Sequence, residues 1–249
     1  MSSDKPIICV IHGAWHQPLH YAGLINPLRR DGYTVLAPCL ASTGAENKDI
    51  RGKTLHDDTT VVVKSIEMAM LNGREIVLVA HSYGALVATE VAAKQSTEER
   101  AARGLNGGIR GIVYISAILF PEIGMSSWDV LFSGGNDIPP WLTVQRTDSF
   151  VNNPMIFYND VDKPLAEICS FTLVRQSLAS VKQGVHHVAS EIKARKIFVA
   201  CSQAQNNPLE TQLAMAKMAG AEVEILDSSH SPFLVGSQIP ELLRIIKSI

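Results

Sequence analysis

The chain of 249 residues carries 22 Lys and Arg against 24 Asp and Glu, a formal net charge of −2, with 46% hydrophobic and only 18% charged residues. That length fits one large α/β domain with a substantial core, and the charge balance offers neither a basic face for nucleic acid nor a long-range field for polyanions. No stretch approaches about 18 consecutive apolar residues, and the start, Met1-Ser2-Ser3-Asp4-Lys5-Pro6, lacks a charged segment followed by an apolar one, so neither a membrane span nor a secretory leader is expected.

Along the chain, short β-rich runs alternate with segments of helical period. Residues 7–11, 34–37, 76–79, 109–117, 196–201 and 223–226 read as strands, and residues 19–30, 55–71, 85–96, 210–219 and 240–249 have the length and apolar spacing of covering helices. Gly32 and Gly73 stand where helix stops belong. This alternation predicts an α/β fold with a mostly parallel open sheet of about six strands flanked by helices. The rhythm breaks at residues 119–195, which hold no clean strand but do hold Pro121, Pro139, Pro140, Pro154, Pro164 and most large aromatics. Such an interval is too long for a bare loop. It reads as an inserted lid, irregular at first and helical around 164–181 and 183–193. The expectation is a single domain over 1–249, with core 1–118 and 196–249 and lid insertion 119–195.

Cys9, Cys39, Cys169 and Cys201 are widely separated and form no C-x-x-C pair, the pattern of reduced thiols in a cytoplasmic protein rather than a disulfide frame or zinc site.

Three pieces carry chemistry, each expected just after a strand. Val10-Ile11-His12-Gly13-Ala14-Trp15-His16 runs from a strand into a glycine-bearing turn, the place for one oxyanion-binding N–H. Ala80-His81-Ser82-Tyr83-Gly84 lies between an apolar run and a helix-forming run, with small residues two before and two after the serine, as a sharp strand-to-helix turn demands. Such a turn exposes Ser82 Oγ at a helix N-terminus, where backbone N–H groups favour developing negative charge, and Tyr83 supplies the second N–H. Asp227-Ser228-Ser229-His230-Ser231-Pro232-Phe233 places a histidine beyond the last strand, positioned to fold over the serine as general base. Singly each signal is weak. Jointly, in this order, they specify a serine hydrolase scaffold.

At these residues the chain resembles the α/β-hydrolase superfamily, and within it the small plant and microbial branch of methyl-salicylate-type esterases and hydroxynitrile lyases. The likeness extends to Tyr114-Ile115-Ser116-Ala117 with Phe120-Pro121-Glu122, to Phe157-Tyr158-Asn159-Asp160 and to Ser229-His230-Ser231-Pro232-Phe233. It implies Ser82 as nucleophile, His230 as base, and Ala14 and Tyr83 as the oxyanion-hole N–H donors. Cyanohydrin-cleaving members carry a threonine in the first turn and a lysine after the histidine. Gly13 and Ser231 stand there, so the resemblance does not imply that chemistry.

The third triad member departs from the branch. Its aspartate follows the penultimate strand, four residues ahead of a proline; with Pro208 here that place is Ala204, and residues 201–208 hold no carboxylate. Without an anionic acceptor nothing fixes the histidine's tautomer or stabilises its imidazolium. Glu122 and Asp227 are the candidate substitutes. A neutral partner such as Asn206, Gln205 or water, or none at all, stays open.

His16 sits in the oxyanion turn and is expected to brace it. His56, His186 and His187 have no ligand-like spacing and are expected at the surface; no metal or cofactor is implied. Asp57 and Asp58 start the 55–71 helix, where the macrodipole favours them. The lid aromatics Trp128, Phe132, Trp141, Phe150, Phe157 and Tyr158 concentrate apolar surface opposite the serine. A substrate pocket is expected from Trp15, His16, Trp128, Phe132, Trp141 and Tyr158, with Trp15 narrowing its mouth, for a small or medium apolar acyl compound. The predicted function is hydrolysis of a carboxylic ester or lactone. Two alternatives remain: a non-hydrolytic catalyst (cyclase, isomerase or lyase) with His230 as plain base, and a ligand-binding protein with vestigial catalysis. The expected partner is the small substrate, with no nucleic acid or membrane; a homodimer is left open.

Overall fold

The structure, a computed structural model, describes residues 5–249. The first half runs β1 (Ile7–Ile11), α1 (Ala22–Arg30), β2 (Val35–Leu36), β3 (Thr43–Gly44), α2 (Asn47–Ile50), α3 (Leu55–Leu71), β4 (Glu75–His81), α4 (Gly84–Ala92), α5 (Thr97–Ala101) and β5 (Gly108–Ile115). The insertion follows with α6 (Ser127–Phe132), β6 (Leu142–Val144), β7 (Asp148–Val151), α7 (Lys163–Phe171), β8 (Arg175–Ser177) and α8 (Leu178–Lys182). The chain then returns to the core with β9 (Arg195–Cys201), α9 (Leu209–Ala219), β10 (Glu222–Leu226) and α10 (Ile239–Lys247).

Six strands form one sheet in the order β10-β9-β5-β4-β1-β2, with every pairing parallel. Its central strands are apolar at successive positions because both faces are covered. Ile7, Cys9 and Ile11 of β1 join Ile76, Leu78 and Ala80 of β4 in a core beneath α3 and α4, while Ile8, Val10, Val77 and Val79 pack on the opposite face against Leu24, Leu28, Leu242 and Ile245 of α1 and α10. The strand order reverses between β1 and β4, and parallel sheets open a crevice for ligands beyond the carboxyl ends of such strands. The fold is the α/β-hydrolase fold, as the alternation of strands and helices predicts.

The insertion differs from expectation. Residues 119–195 contain three short strands, and β6, β7 and β8 assemble with β3 from the core into a second, antiparallel sheet in the order β3-β8-β7-β6. Strands of three or four residues are too short to display a period-2 pattern. The expected helix over 164–181 is split by β8, whose backbone pairs with both β3 and β7, and 183–193 yields one 3-10 turn, Ala189–Glu191. Among the described residues all four cysteines are free, three of them buried and Cys39 exposed, and no helix is long and apolar enough to cross a membrane.

Candidate active site

Register places the key turns side by side. Ile11 pairs with Ala80 and His81 with Ile115, so the loops leaving β1, β4 and β5 emerge together at the carboxyl edge. Ser82 follows β4 with φ of 52°, a left-handed conformation that costs a non-glycine residue energy and clusters at functional sites. The turn is held by Ser82 N–H donating to Ile115 O at 3.1 Å and by Ile118 N–H donating to Ser82 O at 3.3 Å. Gly84 is obligatory here, because a Cβ would lie 2.6 Å from the carbonyl oxygens of both Ile11 and His12. That contact seats the N-terminus of α4 directly on the end of β1.

Ser82, Ala14 and His230 share the wall of one cavity of about 240 Å³. Neither the Ala14 nor the Tyr83 backbone N–H has an acceptor among the described residues, although both residues are buried. No hydrogen bond joins Ser82 Oγ to His230 among these residues, a looseness common in catalytic pairs at rest.

The third partner is Ser116. His230 Nδ1 lies 2.8 Å from Ser116 Oγ, both side chains being fully enclosed. Ser116 follows β5 with φ of 41°, its N–H donating to Val199 O at 2.9 Å, and this strained turn aims its hydroxyl across the strand ends at the imidazole. Glu122 is exposed. Asp227 is exposed too, and accepts from Ser202 Oγ and Gln203 Nε2 instead, which lowers its pKa. Neither carboxylate reaches the histidine: the loop after β5 carries Glu122 outward, and Asp227 turns away at the end of β10. Ala204 is buried and apolar. Among the open neutral candidates, Asn206 and Gln205 line the cavity without bonding His230 Nδ1. Burial, with the neighbouring His16 adding to it, pushes the His230 pKa down to about 3.

A buried polar frame surrounds these groups. Gly13 N–H donates to Tyr21 Oη at 2.9 Å, Tyr21 Oη lies 2.7 Å from His81 Nδ1, and His81 Nε2 lies 3.0 Å from the His230 carbonyl oxygen. A carbonyl can only accept, so His81 is protonated on Nε2 and takes the Tyr21 hydroxyl proton on Nδ1. The same logic puts the His16 proton on Nδ1, donating to Ala14 O at 2.8 Å, with Nε2 accepting from Tyr158 Oη at 3.0 Å. His16 thereby braces the turn that bears Ala14. Burial holds His16 and His81 well below the usual histidine pKa. Tyr83 is fixed from the other side, its hydroxyl donating to Asp58 at 2.7 Å, while Ser42 donates to Asp58 through both N–H and Oγ. Asp58 is thus more than a helix-end charge. Enclosure pushes its pKa up to about 6 against the pull of those donors. Asp57 closes the capping box with Thr54. From the insertion, Asp160 accepts from Ser228 Oγ and Ser229 N–H, both at 2.8 Å, clamping the loop that delivers His230.

Of the expected pocket residues, Trp15, His16, Phe132 and Trp141 line the cavity. Trp15 adopts φ of 61° and stacks on Phe157 at 6.1 Å, with Trp141 meeting it edge-on at 5.9 Å. Trp128 and Tyr158 do not line it: Trp128 packs beneath Lys182 and against Gly135, and Tyr158 sits behind His16 as its hydrogen-bond donor. Among the described residues no group of three His, Cys, Asp or Glu side chains converges as metal ligands would.

Sequence reasoning missed Ser116 because it sought a carboxylate in the loop after β9. The available signal was topological: the strand after the elbow lies between β4 and β9, so a hydroxyl residue at its carboxyl end faces the base.

The family described as the alpha/beta hydrolase family matches residues 7–238. Probable hydrolase R7 of Phoma sp. is 26% identical over 238 residues, covering 92% of each chain. Among solved structures, polyneuridine aldehyde esterase superimposes with a TM-score of 0.75 at 15% identity, covering 98% of both chains. Tomato methylketone synthase I, complexed with 2-tridecanone, gives a TM-score of 0.75 at 18% identity over 98% of both. Likenesses at these identities speak to the fold.

Proposed function

The chain belongs to the alpha/beta hydrolase family, and from that premise we propose that it hydrolyses a small or medium apolar carboxylic ester or lactone with Ser82 as nucleophile. The observation that carries this reading is the strained Ser82 turn sharing one cavity with His230, whose Nδ1 is already engaged by Ser116. With the Nδ1 proton donated to Ser116 Oγ, Nε2 keeps its lone pair for the Ser82 hydroxyl. His230 removes that proton, Ser82 attacks the carbonyl carbon, and the Ala14 and Tyr83 N–H groups bind the oxyanion. His230 then protonates the departing alkoxide, and water, activated by the same imidazole, releases the acid.

Ser116 orients the imidazole as a triad acid does, but it brings no charge to stabilise the imidazolium. In a well-studied serine protease, exchanging the acid for its amide costs about 10⁴-fold in kcat. A turnover well below that of triad esterases is therefore expected. The four free thiols fit a reducing, cytoplasmic setting. That probable hydrolase R7 spans the same length supports hydrolysis over mere binding.

The test is labelling by a fluorophosphonate probe, together with turnover of short aryl esters and lactones by wild type and Ser82→Ala. Labelling and turnover lost in the variant are expected. Unchanged turnover in Ser82→Ala refutes the mechanism. The uncharged partner of His230 specifically favours one second reading, a base-only catalyst in which no acyl-serine forms; turnover without incorporation of solvent oxygen and without labelling would select it.

A further inference from the structure

The cavity beside Ser82 is walled mainly by Trp15, Ile118, Phe132, Trp141, Phe157 and Met215, yet one of its polar members has no partner. Asn206 Oδ1 is sealed from bulk solvent and receives no hydrogen bond among the described residues. Buried acceptors are almost always paired, and leaving one unpaired costs the full desolvation of the group. The neighbouring amide is already committed: Asn207 Nδ2 donates to Ala117 O at 3.3 Å and its carbonyl accepts from Gln212 Nε2 at 2.7 Å. The loop that would hold the triad acid has thus become part of the cavity wall, and Asn206 is the member with spare hydrogen-bonding capacity.

We infer that Asn206 is a specificity-determining residue that accepts a hydrogen bond from the substrate, so that the preferred ligand is an uncharged, ring-sized acyl compound bearing one hydroxyl or N–H donor. Size and charge agree. A cavity of about 150 Å³ holds a benzene ring, so 240 Å³ accommodates one substituted ring with its acyl group. Asp137, the carboxylate at the cavity rim, disfavours anionic ligands. A site built around a hydrogen bond to ligand discriminates strongly against the analogue lacking the donor, because its own acceptor then stays unpaired. This inference names the substrate class for the hydrolytic reading above, but it is tested by binding and so stands or falls separately.

The probes are acetophenone and its meta- and para-hydroxy derivatives, titrated calorimetrically into wild type, Asn206→Leu and Asn206→Asp, with circular dichroism to verify folding. Wild type is expected to bind at least one hydroxylated ketone about 5- to 150-fold more tightly than acetophenone. Asn206→Leu abolishes that preference, and Asn206→Asp, which retains an acceptor, keeps it. Equal affinity or no binding across the set in wild type, or a preference that survives in folded Asn206→Leu, overturns the assignment. Loss of Ser82 labelling with the binding preference intact refutes only the hydrolytic reading.

Discussion

Acid is the perturbation to which this architecture is most exposed. His12, His16, His81 and His230 are enclosed without any carboxylate partner, and burial depresses each pKa: to about 4 in His12, to about 3 in His230, and well below the ordinary 6.5 in the other two. A depressed histidine stabilises the fold fully above the unfolded-state value and loses that contribution as pH falls toward the folded value, because the unfolded chain takes up the proton first. At about pH 5 an unfolded histidine has gained about 2 kcal/mol by protonation while the enclosed one has gained almost nothing. Four such residues remove about 8 kcal/mol, comparable with the whole stability of an ordinary domain. Asp58 works in the opposite sense. Its pKa is raised, so its penalty is relieved as pH drops through about 6, which returns about 1 kcal/mol. Urea unfolding followed by tryptophan fluorescence at about pH 7.5, 6 and 5 should give a midpoint that falls steeply at unchanged m-value. Over the range where the protein stays folded, kcat/KM should show no ionisation of His230. A stability change below about 2 kcal/mol across that interval would refute the neutral, unpaired state assigned to these imidazoles.

Ser116→Ala leaves the His230 Nδ1–H without an acceptor and should lower kcat about 5- to 150-fold with little change in KM. Ser116→Asp sets a carboxylate against Nδ1, raising the His230 pKa by about 1–3 units and introducing an acid limb into the pH profile; a profile identical to wild type would deny Ser116 its positioning role. Gly84→Ala forces a Cβ to within 2.6 Å of two carbonyl oxygens and should cost about 1–3 kcal/mol, a fall of about 3–10 °C in the calorimetric midpoint. An unshifted midpoint would mean that α4 is not seated on β1.

The sheet was legible because its strands are apolar runs buried on both faces, and the elbow because Ala80 and Gly84 flank a serine between strand and helix. Ser82, His230, Ala14 and the Trp15 wall come together in space from turns that local pattern locates. What was not legible depends on distance in sequence. Ser116 and His230 are 114 positions apart, and a serine after a strand carries no local mark of its partner. The same holds for Asp58, whose role depends on meeting Ser42 and Tyr83 in the interior. The small antiparallel sheet of the insertion was hidden because its strands owe their conformation to one another rather than to their own residues.

His81 looks like an incidental letter beside the nucleophile, yet through Tyr21 it is tied to the glycine turn of β1 and directly to the backbone of the base. Three stations of the reaction are thereby welded into a single jig before any substrate arrives, and the entropy of aligning them is spent during folding rather than at each turnover. Adaptation to new substrates is consequently channelled into the insertion and the 205–207 loop, which can change shape without loosening the jig.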